Sequence, residues 1–147
     1  MFSEIHDSEI EKRAHAPAIS HFLERWHRLA QKREGVPFVC FDPRDLGDLA
    51  DDMIVLVPTG DGDFIYASFG ARVAECSGGD MTGRRCSERN GPAGVVFATS
   101  NRRALEEGRP IFTIHQRASE TQVQMWERLV LPCKGSDGGD ILVLSCR

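Results

Sequence analysis

The chain has 147 residues, 41% of them hydrophobic and 27% charged, which suits one domain with a sizeable core. Its 18 basic and 22 acidic residues leave a net charge of −4, so composition gives no electrostatic reason to expect a nucleic-acid or anionic-membrane partner. The longest apolar run, Met53–Val57, falls far short of the roughly 20 residues a spanning helix needs, and the opening MFSEIHDSEIEKR lacks the apolar centre of a signal peptide, so a cytoplasmic protein is expected.

Residues 1–16 are polar and are expected to be a frayed or loosely helical N-terminal segment. Residues 17–36 carry an amphipathic helix. Pro17 suits its first position, where a missing N–H costs nothing, and Gly35 and Pro37 stop it. Ile19, Phe22, Leu23, Trp26, Leu29 and Ala30 recur at three- and four-residue steps as one apolar stripe. Two uses of that stripe stay open: packing on the domain's own sheet, or a homodimer seam through Ile19, Phe22, Leu23 and Trp26.

The domain proper is expected over residues 37–147. Asp42 and Pro43 start a short helix that ends near Ala50. Met53–Val57 is short, apolar and β-branched, as a strand buried on both faces would be. The turn cluster Pro58–Asp63 pairs it as a hairpin with Phe64–Phe69. Gly70 breaks that strand, a short helix covers Ala71–Cys76, and Ser77-Gly78-Gly79-Asp80 ends it. Glycine at 70 and 83 suits a backbone that turns sharply or passes close to another segment.

Cys86–Asn90 reads as loop, and a second long helix runs from Pro92 to about Glu107. Val95, Val96, Thr99 and Leu105 are expected on its buried side, with Gly108 and Pro110 ending it. Ile111–Ala118 is a strand with Phe112 and Ile114 on one face, Thr113 and His115 on the other. Gln122–Leu131 alternates likewise: Glu127, Leu129 and Leu131 on one side, Trp126, Arg128 and Val130 on the other. A tight turn over Ser136–Asp140 leads to the strand Ile141–Leu144. The order defines an α+β fold: a five-stranded antiparallel sheet with helices on one face, preceded by the amphipathic helix.

Two strands, helices, then three strands is the order of the PAS domain, and local residues sharpen the likeness. Phe22-Leu23-Glu24-Arg25-Trp26, Val36-Pro37, Phe41-Asp42-Pro43-Arg44-Asp45-Leu46, Phe64-Ile65-Tyr66…Gly70, Thr82-Gly83-Arg84 and Leu131-Pro132 stand in the order and spacing of a bacterial, alphaproteobacterial-type PAS family. The chain resembles that family over about residues 17–145. It departs at Ala67-Ser68-Phe69, where bulkier residues are usual, and at Gly70-Ala71, where Gly-Thr is common. The chain stops straight after its last strand, where many such sensors continue into an output helix, so a free-standing protein or a trimmed sensor is expected.

The resemblance implies a signalling module that binds a small molecule or a partner protein, either a second copy, a separate signalling protein or a fused output domain. A ligand-free adaptor is the alternative, and a small α+β enzyme a remote one. Tyr66, His115 and Trp126 are the candidate ligand-facing residues. A haem-binding gas or redox sensor would need a histidine such as His115, but PAS haem ligands usually come from the long helix, and Pro92–Glu107 contains none. The reactive-cysteine stretch of flavin photosensors is not matched by Gly83-Arg84-Arg85-Cys86-Ser87. Haem and flavin are therefore not supported, and no cofactor is required.

His6, His15, His21 and His27 are expected to face solvent. The six-residue step from His21 to His27 puts them on different helical faces, so no metal site is expected. Five cysteines without a Cys-x-x-Cys suit reduced thiols; Cys76 and Cys86 flank the loop after the short helix, the placement a redox-sensing pair would need. Gly138-Gly139-Asp140 echoes the signature of cyclic-dinucleotide synthases, but Ile141-Leu142 follows, so a hairpin turn is the better reading. No order or spacing points to a catalytic group.

Overall fold

The computed structural model describes residues 2–5, 17–32, 34–88, 92–118 and 123–146, with side chains for 18–32, 34–88, 94, 97–114, 126–144 and 146. Among the described residues, six strands and three α-helices follow in the order β1 (Phe2–Ile5), α1 (Pro17–Ala30), β2 (Met53–Pro58), β3 (Phe64–Phe69), α2 (Ala71–Ser77), α3 (Pro92–Glu107), β4 (Ile111–Ala118), β5 (Val123–Lys134) and β6 (Asp140–Cys146). They form one antiparallel sheet in the order β1-β4-β5-β6-β2-β3. The five strands expected from sequence are β2 to β6. The sixth, β1, corrects the expectation of a frayed or loosely helical segment at Phe2–Ile5, which pairs with Phe112–His115 along the edge of β4; residues 6–16 of that segment lie outside the described residues. Its four residues, FSEI, alternate apolar and polar, but that is too short a run to separate a strand from a tail in sequence.

Helices cover both faces of the sheet. The outer face takes Met53, Phe112, Ile114, Leu129, Leu131, Cys133 and Val143, and α1 lies on it with Phe41 and Val36. The inner face takes Ile54, Leu56, Phe64, Tyr66, Phe69, Ile111, Val130, Leu142 and Leu144, packed with Val73 of α2 and Ala104 of α3. The two sets interleave along each strand because successive side chains point to opposite faces. The expectation of helices on one face holds for α2 and α3, while α1 occupies the other.

The stripe of α1 is thus used within the chain. Ile19, Phe22, Leu23 and Trp26 are between 0 and 8% exposed against their own sheet. Of the two uses expected for the stripe, packing on the domain's own sheet is the one this chain makes, with the four side chains resting on β5 and β6. The Trp26 indole also donates from Nε1 to the Pro132 carbonyl of β5 at 2.8 Å.

Between α1 and β2, three 3-10 turns (Phe38–Phe41, Pro43–Asp45 and Gly47–Asp52) replace the short helix expected near Asp42–Ala50. Asp42 does cap: its Oδ1 accepts from the Arg44 N–H at 3.0 Å, and its carboxylate grips the Arg44 guanidinium. Leu46, at φ −109° and ψ 4°, stands between the second turn and the third, which opens on Gly47 at φ +57°, so the segment does not continue as one helix.

The β2–β3 hairpin carries a bulge. Val55 faces Ser68 but Leu56 faces Tyr66, so Ala67 is the extra residue. The bulge turns Phe69 onto the inner face with Phe64 and Tyr66, an arrangement strict alternation would not give. The free edge of β3 is covered by the loop after α2: the Tyr66 N–H donates to the Arg84 carbonyl and the Gly83 N–H to the Tyr66 carbonyl, at 3.0 and 2.7 Å.

Side chains tie that loop to the hairpin turn. Arg85 Nη1 donates to Asp61 Oδ2 at 2.8 Å, and Ser87 Oγ to Asp63 Oδ2 at 2.6 Å. The Thr59 hydroxyl first, and the Arg85 guanidinium second, hold the Asp61 carboxyl down from the ordinary 3.8 to about 2. A carboxylate lowered on folding contributes stability that is complete above its unfolded value and lost as pH falls through the folded one. The urea midpoint should therefore decline between about pH 4 and pH 2. Asp61→Asn should remove part of that decline. A variant keeping the full wild-type acid slope would show that the turn takes no part.

Candidate ligand site

The inner face is apolar except where β4 and β5 run beneath α3. Trp126, Arg128 and Val130 follow one another on that face of β5, and Thr113 and Ile111 stand on it in β4. Arg128 is 6% exposed. Its Nη1 donates to Ser100 Oγ at 2.9 Å and its Nη2 to Asn101 Oδ1 at 2.5 Å, both on α3. Its Cζ sits 4.5 Å from the centroid of the Phe97 ring, one turn earlier on the helix. The Ser100 hydroxyl donates to the Phe97 carbonyl at 3.1 Å, which leaves its oxygen to accept from the arginine. Helix and strand are joined by a charged, planar donor held on three sides.

Thr113 is directly opposite Arg128 in the β4–β5 register. It is 1% exposed, and its Oγ1 is, among the described residues, the buried side-chain oxygen or nitrogen with no hydrogen-bond partner. A buried hydroxyl without a partner forfeits about 1–3 kcal/mol of solvation, so its presence calls for a reason.

Sequence reasoning missed this cluster. It expected Val95, Val96, Thr99 and Leu105 on the buried side of α3. The structure buries Ser100, Asn101 and Ala104, leaves Leu105 half-buried and exposes Thr99; the side chains of Val95 and Val96 lie outside the described residues. The available signal was the alternation of β5, which puts a charge, Arg128, between Trp126 and Val130 on a core-facing side.

Of the candidate ligand-facing residues, Tyr66 is buried on the inner face, its ring edge-on to Phe69 with centroids 5.4 Å apart. Trp126 is half-buried on the same face, packed against that layer. His115 is paired with Trp126 across β4 and β5, and its side chain lies outside the described residues. His21 and His27 are far from this layer, on α1; His6 and His15 lie outside the described residues. Among the described residues no group of three or more His, Cys, Asp or Glu is arranged to hold a metal ion. Cys76 is exposed and Cys86 half-buried; Cys133 lies in the outer layer, where burial first and neighbouring Cys40 second push its thiol up to about 12. A separate concavity of about 350 Å³ opens at the β5–β6 hairpin, between Trp26, Val36, Leu105, Pro132 and the Lys134–Asp140 ion pair.

The strands β3-β2-β6-β5-β4 lie side by side, α2 and α3 fall between β3 and β4 in sequence, and a polar group is set into the inner face beneath α3. The chain belongs to the PAS fold family, whose model matches residues 48–146. Solved structures with similar folds include a domain of an HTR-like protein from Haloarcula marismortui, at 21% identity over 66% of this chain and 96% of that one, TM-score 0.46. A fungal LOV-domain photoreceptor is similar at 16% identity over 95% and 96% of the two chains, TM-score 0.47. An RNA-binding light-oxygen-voltage receptor is similar at 13% identity over 75% of this chain and 32% of that one, TM-score 0.49. A comparison with curated proteins found no match. No helix among the described residues is long and apolar enough to cross a membrane.

Proposed function

We propose that this chain is a cytoplasmic regulatory PAS module that takes a small molecule between α3 and the inner face of β4 and β5, and passes on its occupancy as a change in helix packing or in association with a partner protein. The observation that carries this reading is the buried polar group Arg128–Ser100–Asn101 at the helix–sheet seam, in a family whose domains serve generally in signalling. A purely structural interior would be served as well by apolar residues there. Tyr66, Trp126 and His115 are the residues proposed to line the guest beside that group. A ligand that favours one arrangement of α3 shifts the population of that arrangement by its difference in affinity. The surface for a second copy is proposed to lie outside the covered stripe of α1.

The test is mass spectrometry of a denaturing extract of the purified protein. A stoichiometric small molecule is the expected result. An empty extract, together with unchanged Trp126 fluorescence in a Trp26→Phe background on adding cell metabolite fractions, would favour a ligand-free adaptor instead.

A further inference from the structure

We propose that the concavity at the β5–β6 hairpin binds a small organic cation, an ammonium group carried on an apolar body. It lies apart from the layer between α3 and the sheet that is proposed above for a small molecule.

The notch follows from unequal strand lengths. Strand β4 begins at Ile111, opposite Val130, so β5 runs on through Pro132, Cys133 and Lys134 without a β4 partner. Pro132 brings no N–H to that stretch, and its carbonyl is taken by the Trp26 indole. The Lys134 N–H donates to the Val36 carbonyl at 2.8 Å, which brings the segment after α1 alongside. What stays open is a cavity of about 350 Å³, within the roughly 300–1,000 Å³ of small-molecule sites.

The lining is largely apolar: Trp26, Ala30, Val36, Leu105, Pro132 and Cys133. Cys133 adds no charge, because burial keeps its thiol protonated at neutral pH. The charged groups on the lining are two carboxylates, Glu34 and Asp140, and one ammonium, Lys134. A Cβ at Gly35 would lie 2.9 Å from Lys134 Cγ, so glycine lets the lysine stem lie close while its Nζ pairs with Asp140. Among the described residues Glu34 has no ion-pair partner, which leaves the lining one negative charge in excess. Ala30 ends α1 and Leu105 stands in the last turn of α3, and helix C-terminal ends add partial negative charge. The Trp26 indole N–H is already spent, so what this side chain offers a guest is ring surface, which also attracts a cation. An apolar body with a positive head matches all of these; an anion meets the excess charge, and a neutral guest gains only burial.

Phenethylamine as its ammonium ion, 2-phenylethanol, phenylacetate and ethylamine are the probes, read on the full chain at neutral pH by amide NMR shifts and isothermal titration. Phenethylammonium should bind and shift the amides of Gly35, Gly108 and Lys134. The alcohol should bind roughly two- to fivefold more weakly, the range for one exposed ion pair, and phenylacetate and ethylamine more weakly still. Glu34→Gln should lower phenethylammonium to the affinity of the alcohol, and Glu34→Lys should make phenylacetate the preferred guest. Glu34 is exposed, so neither change disturbs the core. Ala30→Phe, which places a ring on the lining, should remove binding of amine and alcohol alike; if it does not fold, the Glu34 variants decide. Phenylacetate or the alcohol binding as tightly as the amine, or unchanged amine affinity in Glu34→Lys, would overturn the assignment. So would shifts confined to Ser100, Asn101 and Arg128, which would put the guest beneath α3 instead. No shift with any probe removes this cavity as a site and leaves the layer beneath α3 to its own extraction test.

Discussion

Trp26→Ala should destabilise the protein by about 3–5 kcal/mol, the range for truncating a buried aromatic side chain. The ring is 8% exposed between α1 and the outer face of the sheet, and its Nε1 donates to the Pro132 carbonyl. Truncation therefore opens a cavity and also leaves a half-buried carbonyl without its donor. Trp26→Phe separates the two effects: it keeps most of the apolar body and loses the hydrogen bond, for an expected cost of about 1–2 kcal/mol. Urea unfolding of the two variants checks the ordering. A Trp26→Ala protein as stable as wild type, but sedimenting as a smaller species, would contradict the packing and put α1 between two copies.

Gly70→Ala should cost about 2–3 kcal/mol, and roughly 10 °C in Tm, although alanine is the mildest change available. A Cβ at this position would lie 2.4 Å from the Asp51 carbonyl oxygen and 2.6 Å from that of Ala50. Both are backbone atoms, so no side-chain rotation relieves the clash. The Gly70 N–H donates to the Met53 carbonyl at 2.8 Å, and Arg72 just beyond it pairs with the buried Asp52 at 2.6 Å. The end of β3, the start of α2 and the last 3-10 turn are thus joined within a few residues, and a shift at Gly70 disturbs all three. The backbone angle is not the reason, since Gly70 sits at φ −64°. Thermal unfolding of Gly70→Ala at the wild-type midpoint would contradict the close approach.

The local grammar of this chain was legible where a single chemical rule decides. Gly70 was read as a place where the backbone turns or passes close to another segment, and close passage is what it serves. Pro92 to Glu107 is the helix expected, ended at Gly108, and the alternation of β4 and β5 correctly separated Phe112 and Leu129 from Thr113 and Arg128. What was not legible depends on neighbours distant in sequence. The amphipathic stripe of α1 has the same period whether it meets a sheet or a second copy, and only tertiary packing settles which. On α3, Thr99, expected on the buried side, is exposed, while Ser100 and Asn101 turn inward to meet a guanidinium more than 25 positions away. The bulge at Ala67 leaves no compositional mark, and without it Phe69 would be placed on the wrong face.

Strand β5 serves both layers at once. Arg128 and Val130 point beneath α3, while Leu129 and Leu131, one residue along, are buried under α1, and the carbonyl of Pro132 holds the Trp26 indole. A trans peptide holds neighbouring Cα atoms about 3.8 Å apart, so the two layers meet within one residue step of this strand. The thickness of one β-strand is all that separates the arginine beneath α3 from the apolar layer that carries α1.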